Sequence, residues 1–344
     1  MNVPVFWKTS LPDVEAAYQS ATHATEKRVL TLSAGGRPLY LLAYGQKKLP
    51  GMANYSSALG AHDAYCYKNR ENKQPTILLI GAEHGQETEG IAALLNLISL
   101  LETGVDLAGN GNEALLALAK QARIVIVPVA NPDGRARVEP VGMVGLTGRD
   151  LRYWGQGTWK DGSLCGWPEC KKVHPILGHE GFLGGYYNDD GINLMHDNFF
   201  HPMAKETQAL LDLCADEAPD FILHLHGGSN SQGDLLQTAY VPVDVQQAIV
   251  DLSKRCYDAG FKEELIFKVS DMPEREAGKN PPSFNLASAA HHTCGGVSIV
   301  YESNECLIDE PGPHLTHAQI TRMHMILFEE TLRTALEAYK RPWK

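Results

Sequence analysis

The sequence predicts an α/β fold, a sandwich of helices on a sheet that is mixed or largely parallel. Three observations carry this. Short apolar runs at Thr76–Gly81, Arg123–Val129, Asp220–His226 and Gly296–Glu302 suit strands covered on both faces. Segments of helical periodicity separate them, as a layered α/β architecture requires. The runs end beside glycine, asparagine or an ionisable residue, and α/β sheets gather their ligands at such ends.

Taken in order, residues 11–28 read as a polar surface helix. Arg28–Ser33 and Pro38–Tyr44 read as two strands joined by a turn at Gly35-Gly36. The buried strand 76–81 is followed by a helix over 87–102, and the strand 123–129 stops at Asn131-Pro132-Asp133-Gly134. Residues 135–190, rich in Gly, Trp, Tyr and Pro, show no period; a loop of that length is usually functional. A helix over 201–216 precedes the strand 220–226, which meets Gly227-Gly228. Then come a helix over 243–260, a loop over 271–290, the strand 296–302 and an amphipathic helix over 314–339.

With 344 residues the chain buries a large core without staples. A net charge of −11 argues against nucleic acid or an anionic membrane as partner. The longest apolar stretch, Ile91–Leu101, is broken by Asn96 and Ser99, too short for a membrane span. Seven scattered cysteines suit reduced thiols. The opening MNVPVFWKTSLPDVE has no basic-then-apolar leader, so a cytoplasmic location is expected. No nucleophile elbow, Walker loop or complete G-x-G-x-x-G occurs; Gly155-Gln-Gly157 is only a fragment of the last.

The chemistry gathers at strand ends. His84 and Glu87, three apart in Gly81-Ala-Glu-His-Gly-Gln-Glu87, can offer an imidazole nitrogen and a carboxylate oxygen to one cation, a pairing that suits Zn²⁺. The pattern alone is weak: His23-Ala-Thr-Glu26 matches it within the polar surface helix, where it reads as a solvated face. His224 and His226 share one face of their strand by the two-residue period. His226, nearer the glycines, is the candidate third ligand, and His224 is a supporting partner or a core histidine. Glu302 ends an apolar strand; it is either a surface-facing end or, beside a zinc position, the general base that takes a proton from water.

His84-Gly-Gln-Glu87, Asn131-Pro-Asp-Gly134, Gly191-Ile-Asn-Leu-Met-His-Asp-Asn-Phe199, His226 and Tyr301-Glu302 occur in the order seen in the zinc carboxypeptidase (M14) family, which the chain resembles from about residue 30 to 335. Ser33-Ala-Gly-Gly-Arg-Pro-Leu-Tyr40 adds to the likeness. The resemblance implies one three-layer α/β/α domain over 1–344 with a mixed, largely parallel central sheet. It also implies one catalytic Zn²⁺ on His84, Glu87 and His226, with Glu302 as base. The family's carbonyl-polarising arginine falls to Arg149 or Arg152, Arg152 preferred, with stacking on Tyr153 or Trp154 as the structural alternative.

Two departures concern the substrate. Where the family binds a substrate carboxylate with an Asn-Arg pair, this chain has Met195 and His196 after Asn193, with one residue inserted. A neutral imidazole replaces a guanidinium fork poorly, so His196 and Asn193 are the substrate-binding candidates. No Tyr lies between Tyr257 and Tyr301 to match the family's active-site tyrosine; His291 and His292 lie there, and His292 is the candidate. Cys165, Cys170, His174 and His179 read as packed free thiols beside histidines, with a structural zinc or a disulfide as alternatives. The expected activity is zinc-dependent hydrolysis of a peptide or small amide. The rivals are an N-acyl amino acid deacylase of the aspartoacylase and succinylglutamate desuccinylase type, and a non-catalytic binding protein on a degenerate scaffold.

Overall fold

Side-chain alternation along the strands divides the core into two apolar layers, one on each face of a single sheet. A computed structural model describes residues 3–47, 74–200, 203–273 and 282–340. In chain order the elements are α1 (Leu11–Ser20), β1 (Glu26–Leu32), β2 (Pro38–Tyr44), β3 (Thr76–Gly81), α2 (Glu89–Thr103), α3 (Glu113–Ala119), β4 (Arg123–Val127), α4 (Pro132–Arg137), α5 (Gly148–Gly155), β5 (Gly157–Trp159) and β6 (Glu180–Leu183). They continue with α6 (Lys205–Glu217), β7 (Phe221–Gly227), β8 (Asn230–Leu236), α7 (Val243–Phe261), α8 (Leu286–Cys294), β9 (Val297–Asn304) and α9 (His317–Lys340).

Seven strands form the main sheet in the order β1-β2-β4-β3-β7-β9-β8. The four central strands are parallel to one another and are the four apolar runs of the sequence. Antiparallel β1, β2 and β8 complete the mixed sheet. Leu42, Ile77, Leu79, Ile124, Ile126, Leu223, Leu225, Ile299 and Tyr301 point to one face and pack with α2, α7 and α9. Leu41, Leu78, Ile80, Val125, Val127, Ile222 and Val300 point to the other and pack with α6 and α8. The two-residue period of a strand dictates this sorting, and the result is the three-layer α/β/α sandwich.

Several boundaries differ from the sequence reading. The first helix stops at Ser20, and Glu26–Leu32 pairs with β2 as an edge strand. With its outer positions in water, β1 has the polar composition of a surface helix. His23 lies beyond α1 and is exposed. The other edge, β8, is Asn-Ser-Gln-Gly-Asp-Leu-Leu, too polar to register as a strand. The stretch 135–190 holds α4, α5 and the β5–β6 hairpin, and the loop over 271–290 gives way to α8 at Leu286. Residues 201–202 and 274–281 fall outside the described residues.

Candidate metal centre

Strand β3 delivers the first candidate ligands. Past Gly81 the backbone turns through Ala82 (φ 47°) into the segment carrying Glu83, His84 and Glu87. The NPDG turn braces this segment. Asn131 caps α4 through its Oδ1, which accepts from the Gly134 N–H, while its Nδ2 donates to the Glu83 and Gly185 carbonyls at 3.3 Å. Gly85 donates its N–H to the Gly185 carbonyl at 2.7 Å. A Cβ on Gly85 would strike the Gly134–Arg135 backbone, so only glycine lets the two turns meet. Asp133, fully buried, accepts from Ser33 Oγ (2.6 Å), Gly35 N–H (2.8 Å), Arg37 Nη1 (2.8 Å) and Asp189 N–H (3.1 Å). It thereby ties the Gly-Arg-Pro segment to the turn beneath the site.

Strand β7 delivers the remaining imidazoles. His226 is opposite Glu302 of the parallel neighbour β9, and both side chains lie on the α6–α8 face. Nδ1 of His84 lies 2.8 Å from Glu87 Oε1, and Nδ1 of His226 lies 2.8 Å from Glu87 Oε2. The three groups each bring one ligand atom within 4.8 Å of the others, and all three residues are buried. Burial pushes the Glu87 pKa up, but the two flanking imidazoles outweigh it and bring it down to about 2.

The opposite ring nitrogens are held from behind. His84 Nε2 lies 3.1 Å from Asn193 Oδ1, and His226 Nε2 lies 3.0 Å from Glu83 Oε2. In the tautomer that donates Nε2–H to these oxygens, each Nδ1 keeps its lone pair for a cation, the usual arrangement behind a ligating histidine. The fit of a metal here also shows in Glu87. Its Oε2 is buried without an aligned hydrogen bond although a nitrogen stands 2.8 Å away, which is how converging ligand atoms look when a cation is left out. Two imidazoles and a carboxylate are a donor set for zinc.

Glu83 was not singled out by the sequence reading. It joins His226 to His224, whose Nδ1 stands 2.5 Å from Glu83 Oε1 and whose Nε2 stands 2.9 Å from Ser298 Oγ. His224 therefore supports the site through Glu83. The signal lay in the His224/His226 period: two inward histidines on a buried strand need an acidic partner, and Glu83 is the acid at the end of the neighbouring strand. The second missed residue is Tyr186, whose ring stacks on His84 at 3.7 Å. Burial, with Glu87 and Glu302 nearby, pushes its phenol pKa well up, so it stays a proton donor.

A cavity of about 580 Å³ opens over these groups, lined by His84, Glu87, His226, Glu302, Arg152, His196 and Tyr186 among others. Gly228 makes room for Glu302, since a Cβ there would stand 2.7 Å from Oε2. Burial raises the Glu302 pKa to about 7; His226 opposes the shift, while Glu87 and Asp234 add to it. Arg152, half-exposed on α5, reaches Glu310 at 3.4 Å. Arg149 is exposed and is not part of the cavity wall. His196 lies in the wall, its ring 5.3 Å from Trp167. Burial, with Lys171 and the other imidazoles adding to it, brings its pKa down to about 3, so it is neutral.

Two expectations are corrected. Asn193 stands behind His84, with its Oδ1 3.1 Å from the Nε2 of that candidate ligand, and is not part of the cavity wall. His292 is exposed outside the wall and bonded to the Tyr240 carbonyl, and His291 bonds the Gly296 carbonyl just past α8; both imidazoles serve the backbone. The reading of the loop cysteines as packed free thiols holds. Cys165 and Cys170 are free thiols packed with Ile176 and Tyr187, and His174 Nε2 accepts the Asn193 N–H. Among the described residues, His84, Glu87 and His226 are the one group of three or more that could hold a metal ion.

An α/β/α sandwich with a histidine–glutamate–histidine group at the carboxyl ends of its central strands defines a class of metallohydrolase-like proteins. The zinc carboxypeptidase family model, Peptidase M14, matches residues 13–239, about two-thirds of the chain, and the chain belongs to that family. Glu302 lies beyond the matched segment. Among solved structures, the chain is similar to a metallo-carboxypeptidase from Burkholderia cenocepacia (15% identity, TM-score 0.57, 94% of this chain and 67% of that one). It is also similar to a metallo-carboxypeptidase from Pseudomonas aeruginosa in complex with (2-guanidinoethylmercapto)succinic acid (14%, 0.57, 96% and 68%). A third is carboxypeptidase A from Helicoverpa armigera (14%, 0.56, 98% and 76%). These identities speak for the fold alone. No curated protein matches the sequence. No helix among the described residues is long and apolar enough to cross a membrane.

Proposed function

We propose that the chain is a zinc-dependent hydrolase of peptide or related amide bonds. The observation that carries this reading is the convergence of His84 Nδ1, the Glu87 carboxylate and His226 Nδ1 on one point of a cavity that Glu302 also lines. Zinc held by these residues supplies Lewis acidity toward a carbonyl and toward water.

The chain's own groups do the rest. Glu302, its pKa raised toward neutrality by burial, takes a proton from the attacking water and returns it to the leaving nitrogen. Arg152 is the cavity's guanidinium and is assigned to the oxyanion that develops on the carbonyl. The Arg149 candidacy lapses, because that side chain is not in the cavity wall. Asn193 and Glu83 fix the ring orientations of His84 and His226. Tyr186, stacked on His84, is a phenol donor at the same cavity, a role the sequence reading sought near residues 291–292.

The test is metal content by mass spectrometry on wild type and on His84→Ala, Glu87→Ala and His226→Ala, run beside amide hydrolysis. About one zinc in wild type, lost from the variants together with hydrolysis, is the expected result. A wild type that binds no metal after zinc is added back sinks the reading.

A further inference from the structure

We propose that the enzyme cleaves bonds whose leaving residue is uncharged at its carboxyl end, an amidated or otherwise blocked residue, in preference to a free C-terminal acid. The inference rests on the hydrolase reading above and names its substrate class.

It follows from the charges around the cavity. Among the described residues, the single guanidinium in the wall is that of Arg152, which already faces Glu310 at 3.4 Å. Glu87, Glu302 and Glu305 are the other acidic groups of the lining, and burial, with Glu89 and Glu87 nearby, pushes the Glu305 pKa well up, so it stands there as a neutral acid. A dication on the His–Glu–His group is met by the charges of Glu87 and Glu302, so it supplies little positive field farther along the cavity. Glu305 is fully buried. Its Oε2 accepts the Ser229 N–H at 2.8 Å, and its Oε1 has no hydrogen-bond partner.

The remaining wall is neutral. Met195, Ala287 and Val300 come from the apolar cluster on the α6–α8 face, and Thr238 and Asn285 add uncharged polar groups. His196 joins this wall as an uncharged ring. Lys171, whose charge acts on His196, holds its Nζ 3.9 Å from the Trp167 ring centroid and is not part of the wall. A carboxylate brought here would lose water without gaining a cation, which is unfavourable. A carboxamide loses little, because its N–H groups can donate to carboxylate oxygens and its carbonyl can accept from the asparagine amide.

The experiment compares one N-blocked dipeptide, Phe-Phe, as the free acid and as the C-terminal amide. The amide is expected to show at least tenfold higher kcat/KM on zinc-loaded wild type. His196→Arg places a guanidinium at the neutral wall and is expected to move the ratio at least tenfold toward the acid. A wild type that prefers the acid overturns the inference; loss of that preference in Lys171→Ala would then identify Lys171 as the partner of the carboxylate. Binding of the same two peptides to zinc-loaded Glu302→Gln, followed by calorimetry, requires no turnover. If neither peptide is cut, the hydrolase reading fails, while tighter binding of the amide or of the acid still decides the inference either way.

Discussion

Glu302 illustrates how one residue is poised by its surroundings. Its carboxylate sits beside Glu87 and Asp234 in a buried wall, which raises its pKa from the ordinary 4.5 to about 7. A base acts only when deprotonated, so kcat/KM is expected to fall as pH drops through an acid limb. That limb lies above 4.5 and no higher than about 7, since a bound dication draws the value down. Glu302→Gln removes the proposed proton acceptor without touching a candidate ligand atom. It is expected to keep stoichiometric zinc and to lose roughly 10²–10⁴-fold in rate. The linkage has a definite sign. A carboxyl raised in the folded state opposes folding once pH exceeds its unfolded pKa. The metal-free glutamine variant should therefore be more stable than wild type at pH 8, by on the order of 1–3 kcal/mol. Denaturant melts of the two metal-free proteins check this, and a less stable variant contradicts the assigned environment. Glu83 acts at one remove: Glu83→Gln leaves the fold and the three ligands in place but weakens the acceptor behind His226. Zinc affinity should fall about 10–100-fold, read by competition with a chelator; an unchanged affinity would leave Glu83 a purely structural role.

At the scale of elements, the site depends on turns that fit only as glycine allows. A methyl at position 85 meets main-chain atoms of Gly134 and Arg135, which cannot swing aside as a flexible side chain would. Gly85→Ala is therefore expected to cost about 1–3 kcal/mol and to loosen the His84–Glu87 pairing. Thermal melts and zinc content should both decline; a decline in neither would mean that the NPDG turn does not brace the site. The same local logic decides what could be read in advance. The four central strands announce themselves because both faces are covered, and His84, Glu87, His226 and Glu302 stand at their ends in sequence order. Of the edge strands, β1 reads as a strand from Arg28 on and only its polar start reads as part of the preceding helix, while β8, polar along most of its length, does not read as a strand. Glu83, Tyr186 and the true position of Asn193 escaped because each acts through a partner far away in sequence. Glu83 lies 143 residues from His226, and Asn193 lies 109 from His84. No local spacing records such contacts. His291 and His292 attracted notice by residue type alone, and their packing at the end of α8 uses that chemistry for the backbone.

Across the whole molecule, the metal position joins parts of the chain that only the complete sheet brings together. His84 and Glu87 leave β3, His226 ends β7, and the register between these strands and β9 sets Glu302 opposite His226. An unfolded chain offers no such arrangement, so a cation bound there stabilises the native state alone. Zinc free at a thousand times its dissociation constant is expected to add about 4 kcal/mol, a rise in melting temperature of roughly 5–10 °C for a chain of this size. The increment should vanish with a chelator and return when zinc is restored. It should also be small in His226→Ala, which keeps the sheet but loses one ligand. Equal melting temperatures with zinc and with chelator would mean that the buried carboxylates and imidazoles satisfy one another without a cation. The aligned Nε2 contacts to Asn193 and Glu83, together with the unaligned Glu87 Oε2, argue for the opposite outcome. Asn193 and Glu83 turn both histidines toward the one point that the Glu87 carboxylate shares.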